Sequence, residues 1–316
     1  MFGAPMGPRR YGTGELFHRR WKVTIATLAF TGLDIAFRIE KSLKDEPNKC
    51  QLSVWNLNTE HRAAIEALNP ETKIVSATTK AKAKVSARKM ALKGIPVKIE
   101  AGLGEEGDLS LLWLGDLRSG HSVREGPDWV TKFESGDGEK AYQNARMNVS
   151  YGPKTPVATA LRAMVRALGV GPGNVEAMVH KLEINGVGRI FPQGTVYSGP
   201  VVPHLNDFAR SAGIEWSIQD GNMQILDRGK ALEQRKAITV SAETGMLDSP
   251  TVDVDGILTV KMLLVPEIWP GRILVLEADR IKGNYRADAV TYVGDSAGDD
   301  WGVEIQASRL PASATY

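Results

Sequence analysis

The sequence predicts a mainly β chain with an α+β insertion, in which two β units flank a small α/β unit. Three observations predict it. Apolar and polar residues alternate at period 2 toward both ends of the chain, as where Ile35, Phe37 and Ile39 interleave with Arg38 and Glu40. Helical spacing is clearest in the middle, at Val157, Leu161, Met164, Val165 and Leu168. Glycines and Asx residues punctuate the runs often enough for short strands joined by tight turns.

The elements follow in order. Residues 1–21 are Gly/Pro/Arg-rich and aperiodic, and are expected to be a flexible basic arm. The first β unit, 22–149, opens with a strand over Val23–Ala29 and another over Leu33–Ile39. Cys50–Trp55 reads as a strand and Thr59–Leu68 as a short helix. A basic insertion at 70–94 separates these from a strand pair, Ile95–Ala101 and Leu109–Leu117, and from a strand at Trp129–Ser135.

The α/β unit, 150–236, begins a helix where Thr155 precedes Pro156, an expected N-cap followed by a first-turn proline, and Gly169 ends it. Val175–Leu182 and Pro203–Ala212 are two further helices, the last with Leu205, Phe208 and Ala209 on one face and Gly213 as its stop. Ile214–Gln219 and Met223–Asp227 flank Asp220-Gly221-Asn222, a hairpin signal. Lys230–Lys236 reads as a charged linker into the second β unit, 237–316. That unit has strands at Ile238–Ala242, Ile257–Val265, Ile273–Ala278, Ala287–Val293 and Gly302–Ala307.

Composition narrows the class. The longest uncharged stretch near the start, Val23–Leu33, is far short of the ~20 apolar residues that a spanning helix requires. The charged opening lacks the apolar core of a secretory signal, and one cysteine, Cys50, allows neither an internal disulfide nor a multi-cysteine zinc site. A soluble multidomain protein of a reducing compartment is the expectation. The net charge of +2 is segregated. Met1–Lys22 carries +4, Pro70–Gly94 carries +6, and the remainder is acidic, much of it after Asp248. Such polarity can steer a partner or a neighbouring subunit.

Chemical motifs fail on context. Gly102-Leu103-Gly104-Glu105-Glu106-Gly107 matches the dinucleotide pattern, but a strand follows where a helix must, and two glutamates would repel phosphate. An acidic hairpin turn is expected there. Gly294-Asp295-Ser296-Ala297-Gly298 matches the nucleophile-elbow pattern, yet a strand follows and no histidine lies downstream. Asp253-Val254-Asp255-Gly256 resembles part of a calcium loop, but Thr251 and Met262 stand where carboxylates are required. Asp295, Asp299 and Asp300 read as a solvated turn, with loose cation binding the alternative. The five histidines are scattered, so no catalytic, cofactor or metal residue is nominated.

The basic stretch is the one feature with a functional option. Lys80-Ala81-Lys82-Ala83-Lys84-Val85 alternates at period 2. Lys73, Lys80, Lys82, Lys84, Arg88, Lys89 and Lys93 are candidate partner contacts. A solvated loop, an acidic protein surface and nucleic acid remain open, the last disfavoured because the stretch has no aromatic residue for base stacking.

Four stretches in this order resemble the baseplate hub family of contractile-tailed bacteriophages. They are Phe30–Asn56, with its Pro47-Asn48 bend and Trp55-Asn56 ending; Leu114–Tyr142, leaving a β unit through Asp137-Gly138-Glu139; Ser150–Leu168; and Pro270–Leu310. The resemblance implies a homotrimeric ring with a central channel, to which each copy contributes two β-barrel-like tube domains flanking the small α/β domain. Such a ring docks under the hexameric tail tube, carries the trimeric central spike on its other side, and passes DNA only in transit. It implies no catalysis, no cofactor and no membrane partner. Wedge components or the tape measure are further partners it suggests, and it places the protein in the virion tail baseplate, assembled in the host cytoplasm. The arm and the 70–94 insertion depart from the family pattern, so no family contact carries onto them. The alternatives are a hub or spike of a related injection or secretion system or siphophage tail and, behind these, a hydrolase or nucleic-acid-binding protein.

Overall fold

In the computed structural model, residues 19–68, 94–103, 109–185, 190–232 and 237–311 are described. The N-terminal β unit comprises β1 (Arg19–Ile25), β2 (Leu28–Phe30), β3 (Ile35–Ser42), β4 (Asn48–Trp55), helix α1 (Thr59–Leu68), β5 (Pro96–Leu103), β6 (Ser110–Glu125) and β7 (Asp128–Asp137). The alternation works as expected in β3 and β4, where Ile35, Phe37, Ile39, Cys50, Leu52 and Val54 are buried. The strand expected over Val23–Ala29 is instead a tight hairpin. Ala26 takes a left-handed φ of 53°, and β2 folds back with Phe30 opposite Val23. This fold keeps Val23, Ile25 and Phe30 all in the core. Helix α1 has the expected bounds, with the Asn58 carboxamide oxygen accepting from the His61 N–H at 2.7 Å. Its Ile65 is wholly buried.

Strand β6 makes the sheet turn. Its first half pairs with β5 and its second half with β7, with register shifts at Ile99/Glu100 and Leu117/Ser119. The curl is closed by Trp21 of β1, whose indole N–H donates to the Leu33 carbonyl at 3.1 Å just ahead of β3.

The middle unit is built from α2 (Glu139–Asn144), β8 (Arg146–Tyr151), β9 (Thr155–Pro156), α3 (Val157–Leu168), α4 (Val175–Asn185), β10 (Ile190–Phe191), β11 (Thr195–Pro200), α5 (Val201–Ala212), β12 (Ile214–Gln219) and β13 (Asn222–Asp227). Thr155 is not the N-cap of α3. The cap is Pro156, which pairs with Ile190 in the β9–β10 ladder, and the Thr155 hydroxyl donates to Gly152 O at 2.8 Å. Gly169 and Gly213 end α3 and α5 in left-handed conformations, as expected. The unit has its own core, with Leu161, Met164, Leu205, Trp216 and Ile225 at its centre.

The C-terminal unit contributes β14 (Ile238–Val240), β15 (Thr251–Val252), β16 (Leu258–Leu263), β17 (Ile273–Glu277), β18 (Lys282–Asp295) and β19 (Trp301–Arg309). The two β units, far apart in sequence, meet edge to edge. Strand β18 pairs antiparallel with β3 from Ala289↔Ser42 to Asp295↔Ala36, and the result is one 13-stranded sheet. They also share one core, in which Phe37 packs edge-on against Trp301 at 5.5 Å and Trp21 meets the same ring at 5.9 Å.

Candidate assembly surfaces

The tip of the β12–β13 hairpin anchors the α/β unit to the sheet. Asp220 and Gly221 occupy its two-residue turn with φ of 50° and 76°, the conformation that Asp-Gly adopts in a tight hairpin. The Asp220 carboxylate accepts from Lys41 Nζ at 2.8 and 2.7 Å and from the Leu114 N–H at 3.0 Å. Lys41 takes the next inward-facing position of β3 after Ile39 and is only 3% exposed. Asp137 ends β7 and accepts from the Gly221 N–H at 2.9 Å. Asn48 donates to Ile218 O at 2.9 Å and Gln219 Oε1 at 3.0 Å, while Gln219 donates to Ser42 O at 2.7 Å. One turn is therefore held by β3, β4, β6 and β7 together.

Burial chiefly, and the Asp220 carboxylate next, push the Asp137 carboxyl up to about 6, against the stabilising Gly221 N–H and the Lys41 charge. A second anchor forms at Arg286 of β18, which donates to Asp288 at 2.7 Å, Glu215 at 3.0 Å and Lys230 O at 3.2 Å. Two carboxylates and a lysine meet at the hairpin tip, but their bonding atoms are engaged by one another and by backbone of the joint. The arrangement positions two bodies.

The motif loops have structural partners too. Gly294–Gly298 joins β18 to β19, with no helix after it, and Ser296 Oγ accepts from the Ile35 N–H at 2.9 Å. Asp295 Oδ1 accepts from the N–H groups of Ala297 and Gly298. A cation does sit at this acidic loop, and it is a side chain: the Arg19 guanidinium donates to the carbonyls of Asp295, Gly298 and Asp299 at 2.8, 2.6 and 3.2 Å. Asp253 Oδ1 accepts from the N–H groups of Asp255 and Ile257, closing the turn ahead of β16. Gly102 lies in β5, whose ladder with β6 runs antiparallel up to Ala101↔Ser110; Gly104–Gly107 lie outside the described residues. Among the described residues no group of three His, Cys, Asp or Glu is placed to hold a metal ion.

All seven candidate contacts of the basic stretch, Lys73, Lys80, Lys82, Lys84, Arg88, Lys89 and Lys93, lie outside the described residues, as do residues 1–18 of the arm and 233–236 of the linker. The described chain stops at Leu68 of α1 and resumes at Gly94, beside the Asp116 carboxylate.

Two surfaces went unread in the sequence. A half-open apolar groove of about 420 Å³ lies among α3, α4 and α5, lined by Leu161, Leu182, Ile190, Phe191 and Tyr197, with His204 and Asp207 also in its lining. On the C-terminal unit, Leu247, Val252, Val254 and Leu263 are exposed large apolar side chains within 17 residues, and Val254 is fully in solvent. The sequence carries only an ambiguous signal: Val252-Asp253-Val254-Asp255 alternates valine with aspartate, a pattern that a half-buried strand shows equally.

A family model described as Baseplate hub gp41 matches residues 22–301. A search of curated protein sequences finds no match. Among solved structures, the 43 kDa tail protein of prophage MuSo2 from Shewanella oneidensis superposes with a TM-score of 0.57 at 9% identity, covering 92% of this chain and 97% of that one. A tail protein from Neisseria meningitidis MC58 gives 0.57 at 9% identity, covering 92% and 96%. The E. coli c3393 protein, described as a type VI secretion component structurally similar to bacteriophage T4 tail proteins, gives 0.56 at 10% identity over 93% and 78%. At these identities the likeness is one of fold.

Proposed function

We propose that this chain, which belongs to the baseplate hub gp41 family, is the homotrimeric ring that adapts a hexameric tail tube to a trimeric spike and surrounds the channel for genome delivery. Membership makes it a structural component of the phage tail. The observation that carries the finer reading is the family match over residues 22–301, which takes in the first β unit, the α/β unit and the second β unit up to the start of β19. Two β units per copy would give a threefold ring six similar units with which to face a hexamer.

The fold supports such a part. The β3–β18 ladder and the shared core join the two β units, and the Lys41–Asp220 and Arg286–Glu215 pairs hold the middle α/β unit against them. In this reading the arm and the 70–94 insertion contact other copies or other baseplate proteins, in a virion assembled in the host cytoplasm. Cyclic closure requires each copy to present two different patches, which segregated charge supplies. Negative-stain images of the purified chain test the reading. Holed rings with threefold symmetry are expected; closed twofold dimers or isolated monomers at micromolar concentration would overturn it.

A further inference from the structure

We propose that the arm Met246–Leu263 is the patch on which each copy receives the basic stretch Pro70–Gly94 of the neighbouring copy. The inference rests on the ring reading and names one of its contacts.

The arm lies at one end of the sheet path. Strand β15 pairs with β16, and the Leu247 N–H donates to Lys261 O at 2.9 Å, so the segment runs along β16 with its outer side uncovered among the described residues. Edge strands are often guarded by charge and proline, which accounts for Asp248 and Pro250. It does not account for Leu247, Val252, Val254 and Leu263, whose exposure is the reverse of guarding. Clustered apolar side chains rimmed by polar ones mark a surface that is covered in the assembled state.

Charge identifies the cover. The exposed acids of the arm and its approach are Glu243, Asp248, Asp253 and Asp255, against one base, Lys261, which faces Glu304 at 3.9 Å. The partner must therefore be basic and carry small or medium apolar residues among its charges. In this chain Pro70–Gly94 has that chemistry, with seven Lys or Arg against one Glu and with Ile74, Val75, Val85, Met90 and Leu92 interleaved. Lys80-Ala81-Lys82-Ala83-Lys84-Val85 matches Val252-Asp253-Val254-Asp255 in kind: base alternating with apolar against acid alternating with apolar. Arm and stretch are different patches, so pairing them between copies is head-to-tail, the contact a threefold ring requires.

The test is a charge swap on the full chain, read by sedimentation velocity at low salt, with the midpoint concentration of self-association as the measure. Asp248→Lys with Asp255→Lys is expected to raise the midpoint about tenfold, and Lys80→Glu with Lys82→Glu and Lys84→Glu to do the same. The chain carrying all five changes is expected to return to within about threefold of wild type, since each attraction is restored with its sign inverted. Val254→Asp, at a fully exposed turn position, is expected to weaken association without altering the fold. A synthetic peptide of residues 70–94 should bind the wild-type chain and lose binding to the Asp248→Lys, Asp255→Lys variant. Trimers that persist unchanged in the arm variants would overturn the inference and leave the ring reading standing. Weakening without rescue in the five-change chain would overturn the assignment of the stretch as occupant. A wild-type chain that stays monomeric would overturn the ring reading, and the peptide titration then decides the arm: no binding overturns it.

Discussion

Replacing Lys41 with Met should destabilise the protein more than any surface ion pair could. The Lys41 ammonium is buried and donates at 2.8 and 2.7 Å to Asp220, 179 positions away in sequence, and lies 5.9 Å from the Trp113 ring centre. Lys41→Met keeps most of the volume and removes the charge. Asp220 would keep the Leu114 N–H at 3.0 Å but would face Asp137 with no counter-charge. Removing one partner of a buried pair costs about 3–5 kcal/mol. The Asp220 side chain is 24% exposed, so water recovers part of that. We expect about 3 kcal/mol, the low end of the range.

The assay is urea unfolding followed by tryptophan fluorescence and far-UV circular dichroism. The double variant Lys41→Met, Asp220→Asn separates the unpaired charge from lost packing. Asparagine tolerates the left-handed turn conformation and can still accept from Leu114, so the double variant should recover to within about 1 kcal/mol of wild type. A single variant losing less than about 1 kcal/mol, or a double variant no better than the single, would refute the claim that this pair clamps the α/β unit.

Three further outcomes follow from the same contacts. The Asp137 carboxyl, at about 6 in the fold against an ordinary 3.8, is protonated only in the folded state between those values, so its ionisation should remove about 3 kcal/mol of stability as pH rises from about 4 to about 6. Asp137→Asn, whose amide oxygen can still accept from Gly221, should flatten that slope in denaturant titrations across pH, and an unchanged slope would exclude Asp137 as its source. Cys50 is 2% exposed and burial pushes its thiol well above the usual range, so a thiol reagent at pH 8 should label it only as fast as the protein opens; immediate labelling would contradict the burial. Arg19→Ala removes three hydrogen bonds to the Asp295–Asp299 loop and should speed amide exchange there about tenfold while costing about 1–2 kcal/mol globally, so exchange unchanged at Ala297 and Gly298 would show that the loop holds its own shape.

What the sequence made legible was local. The Thr59–Leu68 helix, the Asp220-Gly221 hairpin and the glycine stops of α3 and α5 are set by residues a few positions apart, and all stand where expected. The Val23–Ala29 strand was misread because period 2 continues through Ala26, whose left-handed conformation leaves no mark in an alanine. Strands β8 and β11 were missed since they are half-exposed and carry Asn148, Ser150, Gly199 and Pro200, all poor strand signals. The β3–β18 ladder and the burial of Lys41 were out of reach for another reason. Each depends on a partner far along the chain, and a lysine following Ile39 reads as the end of a strand until Asp220 is placed opposite it. Of the candidate surfaces, the basic stretch was conspicuous by charge alone. The exposed valines beside Asp253 and Asp255 required the fold to show that nothing among the described residues covers them.

The account stands most directly on the mass of the assembled chain in solution. Light scattering on the full-length protein, eluted over a range of concentrations at low salt, should give three times 34.3 kDa at the upper end of that range. A single-copy mass at every concentration, or a stable pair of copies, would contradict the ring.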